Sequence, residues 1–269
     1  MFKIYFIRRK LFCGAVYESA KLPPLLGREK FEAIFKDFDG KKIGFVGLVG
    51  NVGDRLIEDS AVQLFKKFKI DFVKVNQKHF LNKIDEFAVN GGGNMGGIYP
   101  SSLHIRENLF KYGKPITILP QSFYNRREDL KYKKVFVRES ESLKFREDGI
   151  LAPDLALGYQ YNGRLAKAKY DLGVWLRKDG EKTDVCSLRS DGDPIKICTT
   201  SKEYVQLAAL YKKIVTDRLH FAIAGLIARR EVVLLPNSYF KNYSMWKTWL
   251  KDLGCKWAES DEELLQRLS

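Results

Sequence analysis

The feature that most constrains the fold is an alternation of two kinds of segment. Apolar runs rich in β-branched residues recur at 43–49, 70–75, 86–90, 115–120, 134–139, 170–177, 184–189, 195–200, 213–217 and 231–236. Between them, apolar residues repeat at helical spacing over 54–68, 101–112, 140–146, 202–211, 218–230 and 238–253. Strand-like and helix-like segments taking turns predict an α/β fold with parallel sheets covered by helices. Ligands of such folds collect beyond the carboxyl ends of the strands, so the strand-to-helix loops are where chemistry is to be sought.

The stretch GYQYNGRLAKAK, 158–169, breaks the alternation: it is polar, carries Gly158 and Gly163, and precedes a fresh strand. It reads as a linker between two α/β halves, 1–160 and 161–269. No short-period repeat or low-complexity segment interrupts either half.

Lys and Arg number 47 against 33 Asp and Glu, a net charge of +14 in 269 residues. That balance attracts anions, whether nucleic acid, anionic lipid or small phosphorylated and carboxylated molecules. The basic residues are dispersed, with no arginine-rich tail, zinc finger or RNP-type aromatic motif. A solvated basic surface explains most of them, and no nucleic-acid partner is expected. No apolar run is long enough to span a bilayer. The N-terminal MFKIYFIRRKLFCG is interrupted by Arg8, Arg9 and Lys10 and lacks a small-residue cleavage site, so a cytoplasmic location is expected. Phe2, Ile4, Tyr5 and Phe6 beside those cations fit either an ordinary first strand or peripheral contact with an anionic inner leaflet. Cys13, Cys186, Cys198 and Cys255 are scattered, which signals neither a metal site nor a disulfide framework, but reduced thiols.

Five loops stand at predicted strand ends. In GLVGNVGDRLIEDSA, Asn51, Gly53 and Asp54 open a helix. Glycines there free N–H groups for a ligand, or the segment is a tight turn with Asp54 as a helix cap. Its glycine spacing is neither GxGxxG nor a P-loop. VNGGGNMGGIYP concentrates glycine around Gly92, Gly93 and Asn94, at an entropic cost that suits a ligand approaching the backbone, or a lid. Arg138 ends the strand VFVRE, with Glu139 or Ser140 placed to cap the next helix. It faces the strand-end cleft or is a lone surface arginine. TDRLHFAIAG sets Arg218 and His220, one of only three histidines, at a strand-to-helix corner that Thr216 or Asp217 can cap. Helix N–H groups, a guanidinium and an imidazole there make an anion cradle, or a capped helix with a tolerated polar pair. Lys241, in LLPNSYFKNYSMW, comes after the next strand at the same sheet edge, as a solvated lysine or as a neighbour of that corner.

Taken together, GNVGDRLIEDSAVQLF, VNGGGNMGG, ITILPQSFYN, VFVRESESL, LAPDLAL, TDRLHFAIAG and NSYFKNYSMW resemble, in content and order, the polysaccharide pyruvyl transferases, over residues 43 to 250. The resemblance implies two Rossmann-like domains facing a cleft, as in GT-B enzymes. It implies transfer of pyruvate from phosphoenolpyruvate to a sugar as a ketal, the acceptor being polymer-bound or lipid-linked. By the same resemblance Arg138, Arg218, His220 and Lys241 hold phosphoenolpyruvate, and the C-terminal half is the donor side. Asn51, Gly53, Gly92, Gly93 and Asn94 then lie on the acceptor side. Many members carry an acidic residue where this chain has Gly97, which leaves Asp54 as the remaining loop acid.

Binding a small molecule with a phosphate and a carboxylate takes several cations in one pocket, which Arg138, Arg218 and Lys241 supply. The reaction needs an acid to protonate the methylene carbon. His220 is the candidate, with phosphate binding as its rival role, and Asp54 is a candidate base for the sugar hydroxyl. No metal and no cofactor is expected. Two other classes compete. A glycosyltransferase would bind a nucleotide sugar and use carboxylates or a metal, and the scarcity of carboxylates near the corner counts against it. A non-catalytic anion or nucleic-acid binder is permitted by the charge, but has no need of Arg-x-His beside a separate glycine-rich loop.

Overall fold

The computed structural model describes residues 11–48, 50–75, 83–96, 99–125 and 130–269. Phe2, Ile4, Tyr5, Phe6, Arg8, Arg9, Lys10, His79 and Gly97 lie outside the described residues. In chain order the first strands are Tyr17–Leu22 (β1), Lys42–Val46 (β2), Asp71–Lys74 (β3), Glu86–Val89 (β4) and Gly92–Met95 (β5). Ile116–Phe123 (β6), Lys134–Val137 (β7), Ile150–Leu151 (β8) and Tyr161–Ala166 (β9) come next. Tyr170–Trp175 (β10), Tyr211–Thr216 (β11), Glu231–Leu234 (β12) and Lys256–Trp257 (β13) complete the set. The helices are Glu32–Phe35 (α1), Val52–Lys67 (α2), Pro100–Phe110 (α3), Ser201–Ala209 (α4), Leu219–Ile227 (α5), Lys241–Met245 (α6) and Asp261–Leu268 (α7).

These elements form two units. One combines the N-terminal residues through Leu25 with Asn51–Leu56 and Gln160–Ser269; the other combines Leu26–Gly50 with Ile57–Tyr159. We call them the C-terminal and N-terminal units after the bulk of their residues. Each is built on a parallel sheet, the α/β architecture that the alternation predicts.

The N-terminal unit carries the strand order β3-β2-β4-β6-β7-β8, every pair parallel, with β5 set beside β6. All residues of β4 and β6 are buried, which is why their sequences are apolar almost without alternation. An aromatic cluster of Phe35, Phe38, Phe45, Phe65, Phe68 and Phe72 packs in edge-to-face and stacked pairs. Each fully buried side chain of that size stabilises the unit by roughly 1.5–3 kcal/mol.

The C-terminal unit carries the parallel order β10-β11-β12-β13. Val174, Val215, Val233, Leu235, Ala258 and Leu264 form one of its apolar clusters. α4 begins with a full capping box, Thr200 receiving the Glu203 N–H and Glu203 answering at the Thr200 N–H. α5 is apolar all round and buried at every position but His220, the pattern of a central helix. It lies so close to the sheet that a methyl on Gly225 would stand 2.7 Å from Val232 Cγ2.

Several expectations are corrected. Residues 158–169 are not a bare linker: β9 lies within them and pairs antiparallel with β1, Tyr17 opposite Ala166 through Leu22 opposite Tyr161. Its cue was a period-two pattern hidden by polar side chains. Residues 184–189 form no strand, because side chains take their backbone donors: Val185 N–H goes to Thr183 Oγ1 and Ser187 N–H to Asp261. At 195–200 Pro194 and the Asp193 carboxylate, which accepts the Ile195 N–H at 3.3 Å, start a 3-10 turn instead of a strand. Residues 140–146 also form a 3-10 turn, Ser140–Lys144, with Glu139 as its cap.

Candidate functional site

Three adjacent parallel strands of the C-terminal unit end at one edge, and each delivers a cation there. Arg177 comes after β10, Arg218 after β11, and Lys241 opens α6 after β12. Carboxylates tie the three together. Arg218 holds Asp193 with two parallel bonds, Nε to Oδ1 at 2.9 Å and Nη2 to Oδ2 at 2.6 Å. Its Nη2 also reaches Asp179 Oδ2 at 2.9 Å. Arg177 grips the same Asp179 from the other side, at 2.8 and 3.2 Å, and places Nη1 3.0 Å from Glu181 Oε2. Lys241 Nζ donates to that Glu181 oxygen at 2.5 Å. Arg218, Lys241 and Asp193 are buried, whereas Asp179 is 44% exposed.

The electrostatics follow from this arrangement. Burial alone would raise the Asp179 carboxyl, but the hydrogen bond and charge of Arg177 and the charge of Arg218 outweigh it and hold the group down at about 2. Burial works against the charge on Arg218, yet the bond and charge of Asp193 push its pKa above the ordinary guanidinium value. Burial pushes the Asp217 carboxyl up, against two backbone donors, the N–H groups of Thr183 and Arg177.

Neither Thr216 nor Asp217 caps α5, a further correction. Thr216 Oγ1 donates to the Trp175 carbonyl at 2.6 Å and accepts the Arg218 N–H at 3.0 Å, while Asp217 serves the loop after β10. Arg218 itself occupies the cap position with extended backbone. One residue into α5, His220 is the helix's half-buried side chain. Within the same unit it meets the start of α2: a methyl on Gly53 would stand 3.0 Å from His220 Cβ and Nδ1. A side chain at Gly53 would therefore crowd His220. Asn51 and Asp54 shape the turn. Asn51 Oδ1 accepts the Gly53 N–H and Asp54 Oδ2 accepts the Asn51 N–H, each at 2.8 Å. That is a reciprocal helix cap, so Asp54 has the capping role that the sequence left open.

In the N-terminal unit the glycine-rich loop runs into β5, Gly92 pairing with Gln121 and Met95 with Phe123 of β6. Backbone closeness is its purpose at two positions: a methyl on Gly91 would stand 2.6 Å from the Pro120 carbonyl oxygen, and one on Gly96 2.7 Å from the Asn125 nitrogen. Gly93 and Asn94 are half-buried, and Asn94 Oδ1 accepts from the buried Arg106 at 3.0 Å. Arg138 lies in this unit, 1% exposed in its side chain. It donates to Ser122 Oγ at 2.8 Å and to Asp154 Oδ2 at 2.7 Å. The structure thus brings Arg218, His220 and Lys241 into one unit and sets Arg138 in the other.

Arg177, Asp179, Glu181 and Asp193 were missed by sequence reasoning, and the scarcity of carboxylates near the corner is contradicted by the three that converge on it. A signal existed: RKDGEKTD comes one residue after the strand YDLGVW, and Asp-Gly and Asp-Pro pairs mark turns at 179–180 and 193–194. Charges from a distant stretch, folded back to the corner, have no spacing rule that exposes them.

With this geometry in place, four likenesses bear on the chain. The sequence profile of the polysaccharide pyruvyl transferases matches residues 51–239. EpsO of Bacillus subtilis (strain 168), provisionally assigned as a pyruvyl transferase, is 25% identical over 76% of this chain and 83% of its own. General stress protein 30 of the same organism is 26% identical over 66% of this chain and 64% of its own. Among solved structures, an uncharacterised protein of Klebsiella pneumoniae subsp. pneumoniae shares the fold, with a TM-score of 0.74 at 19% identity over 87% of this chain and 98% of that one.

Proposed function

Because this chain belongs to the polysaccharide pyruvyl transferase family, we propose that the strand-end cluster of its C-terminal unit binds phosphoenolpyruvate and that the chain moves the pyruvyl group onto a sugar as a ketal. The observation that carries this reading is the arrival of Arg218 and Lys241 at the carboxyl ends of neighbouring parallel strands, with the half-buried His220 one residue into α5. Two buried cations at the ligand edge of an α/β sheet suit a compact dianion.

In this proposal His220 delivers a proton to the methylene carbon of phosphoenolpyruvate, which becomes a methyl group beside an oxocarbenium-like carbon. A sugar hydroxyl adds to that carbon and gives up its proton. Phosphate leaves with the electrons of its C–O bond, a second hydroxyl of the same sugar adds to the carbon and closes the ketal, and the proton that hydroxyl loses is taken up by the released phosphate. Arg218 and Lys241 neutralise the departing phosphate. Asp54 uses one carboxylate oxygen in the α2 cap; its other oxygen is assigned the acceptor proton. Asn51, Gly53, Gly92, Gly93 and Asn94 are assigned to the acceptor, within a GT-B-like pairing of the two units. A cytoplasmic enzyme acting on polymer-bound or lipid-linked sugar at the inner membrane face completes the reading. Among the described residues no helix is long and apolar enough to cross a membrane.

Isothermal titration calorimetry tests the donor assignment. Wild type should bind phosphoenolpyruvate saturably, and Arg218→Met, Lys241→Met and His220→Gln should each weaken it. Binding of a nucleotide sugar with none of phosphoenolpyruvate would overturn the reading in favour of a glycosyltransferase.

A further inference from the structure

The loop 177–183 after β10 places two carboxylates on the three cations, and they differ in kind from the carboxylate behind them. Asp193 is 2% exposed, holds Arg218 with two parallel bonds, and accepts the Lys178 and Ile195 N–H groups. It is part of the floor. Asp179 is far more exposed, and its neighbour Gly180 has open space where a side chain would project. The loop's two ends are pinned to one group: Asp217 accepts the N–H of Arg177 at 2.8 Å and that of Thr183 at 3.0 Å. A tip with exposed residues between two fixed ends can move without disturbing the sheet.

We propose that Asp179 and Glu181 are an internal stand-in for the two anionic groups of the ligand, and that Arg177 is a further cation of the ligand site. This rests on the donor-site reading given above. Glu181 Oε2 collects Arg177 Nη1 at 3.0 Å, Lys241 Nζ at 2.5 Å and Asn237 Nδ2 at 3.4 Å. Three donors on one oxygen are the surroundings a phosphate oxygen takes. Asp179 is clasped by Arg177 and Arg218 together, as a second anionic group would be. Two residues apart on one loop, these carboxylates match a small phosphocarboxylate in charge sign and in number of anionic groups. When the tip swings out, both carboxylates return to water, and Asp193 keeps Arg218 in place for the incoming dianion.

A stand-in and a merely positioning carboxylate predict opposite signs. The test is titration calorimetry of wild type, Asp179→Asn/Glu181→Gln, Arg177→Met and Arg177→Lys with phosphoenolpyruvate and, separately, inorganic phosphate, with a thermal melt of each variant. The amides still accept hydrogen bonds but no longer compete as anions. The double variant should bind both probes more tightly than wild type, by at least about fivefold, the upper scale of one exposed ion pair such as that of Asp179, with the less exposed Glu181 adding to it. Arg177→Met should weaken binding, and Arg177→Lys should restore part of it. Equal or weaker binding by a double variant that melts like wild type would overturn the proposal. If wild type binds no phosphoenolpyruvate, the donor reading fails by itself. Tighter phosphate binding by the double variant would then still support the stand-in, and its absence would overturn that too.

Discussion

Replacing Arg138 with Ala separates a structural arginine from a ligand-binding one. Its guanidinium is 1% exposed and its partner Asp154 0%, with 2.7 Å between Nη1 and Oδ2. Unit charges about 4 Å apart attract by about 4 kcal/mol in an effective dielectric of about 20. Removing one of them strands the other in the core, and such losses run to about 3–5 kcal/mol. At about 2–4 °C per kcal/mol, the melting temperature should fall by about 6–20 °C. If the two units melt separately, the drop belongs to the N-terminal transition. Arg138→Met/Asp154→Asn should recover most of it. The stranded charge is then gone, and the new amide oxygen can still accept the Ala156 N–H that Asp154 Oδ1 receives at 2.8 Å. Circular-dichroism melts of the three proteins, each followed by calorimetry with phosphoenolpyruvate, make the comparison. An Arg138→Ala protein with wild-type melting and no phosphoenolpyruvate binding would refute the reasoning and return Arg138 to the ligand.

Three further outcomes are expected. Gly53→Ala should keep the melting temperature within about 1 kcal/mol of stability, since alanine favours a helix. It should lower turnover by crowding His220, and unchanged turnover would show that the 3.0 Å approach has no functional weight. Asp179, held at about 2 in the folded chain against an ordinary 3.8, adds stability above about pH 4 that is lost as the pH falls through about 2. The gap in melting temperature between wild type and Asp179→Asn should therefore be constant near neutrality and close in acid; a gap independent of pH down to 2 contradicts that sign. Native thiol labelling should modify the exposed Cys13 and spare Cys255, whose thiol burial pushes up to about 12, until the chain is denatured.

The parallel α/β architecture was legible because helical and strand periods leave different marks on an apolar pattern, and α2, β4, β6, β11 and α5 fall where those marks stand. β1 and β9 were not legible: an antiparallel pair with polar side chains shows little apolar contrast, and its partners lie more than a hundred residues apart. The false strands at 184–189 and 195–200 failed because Thr183, Asp193 and Asp261 capture the backbone donors a ladder would need. At the site, Arg218 and His220 were readable since they sit at the corner directly after a recognisable strand, and Lys241 since it lies one short loop beyond the next strand. Asp179, Glu181 and Asp193 come from loops whose path no local rule gives. Sequence reasoning therefore found Arg218 and Lys241, but neither Arg177 nor the carboxylates that hold the three cations.

The most direct test of the donor site is a crystal structure of the chain soaked with phosphoenolpyruvate. The account predicts its phosphate and carboxylate within hydrogen-bonding distance of Arg218 and Lys241, with the reacting carbon near His220. Density for the ligand elsewhere, with Arg218 and Lys241 still bound to Asp179 and Glu181, would contradict it.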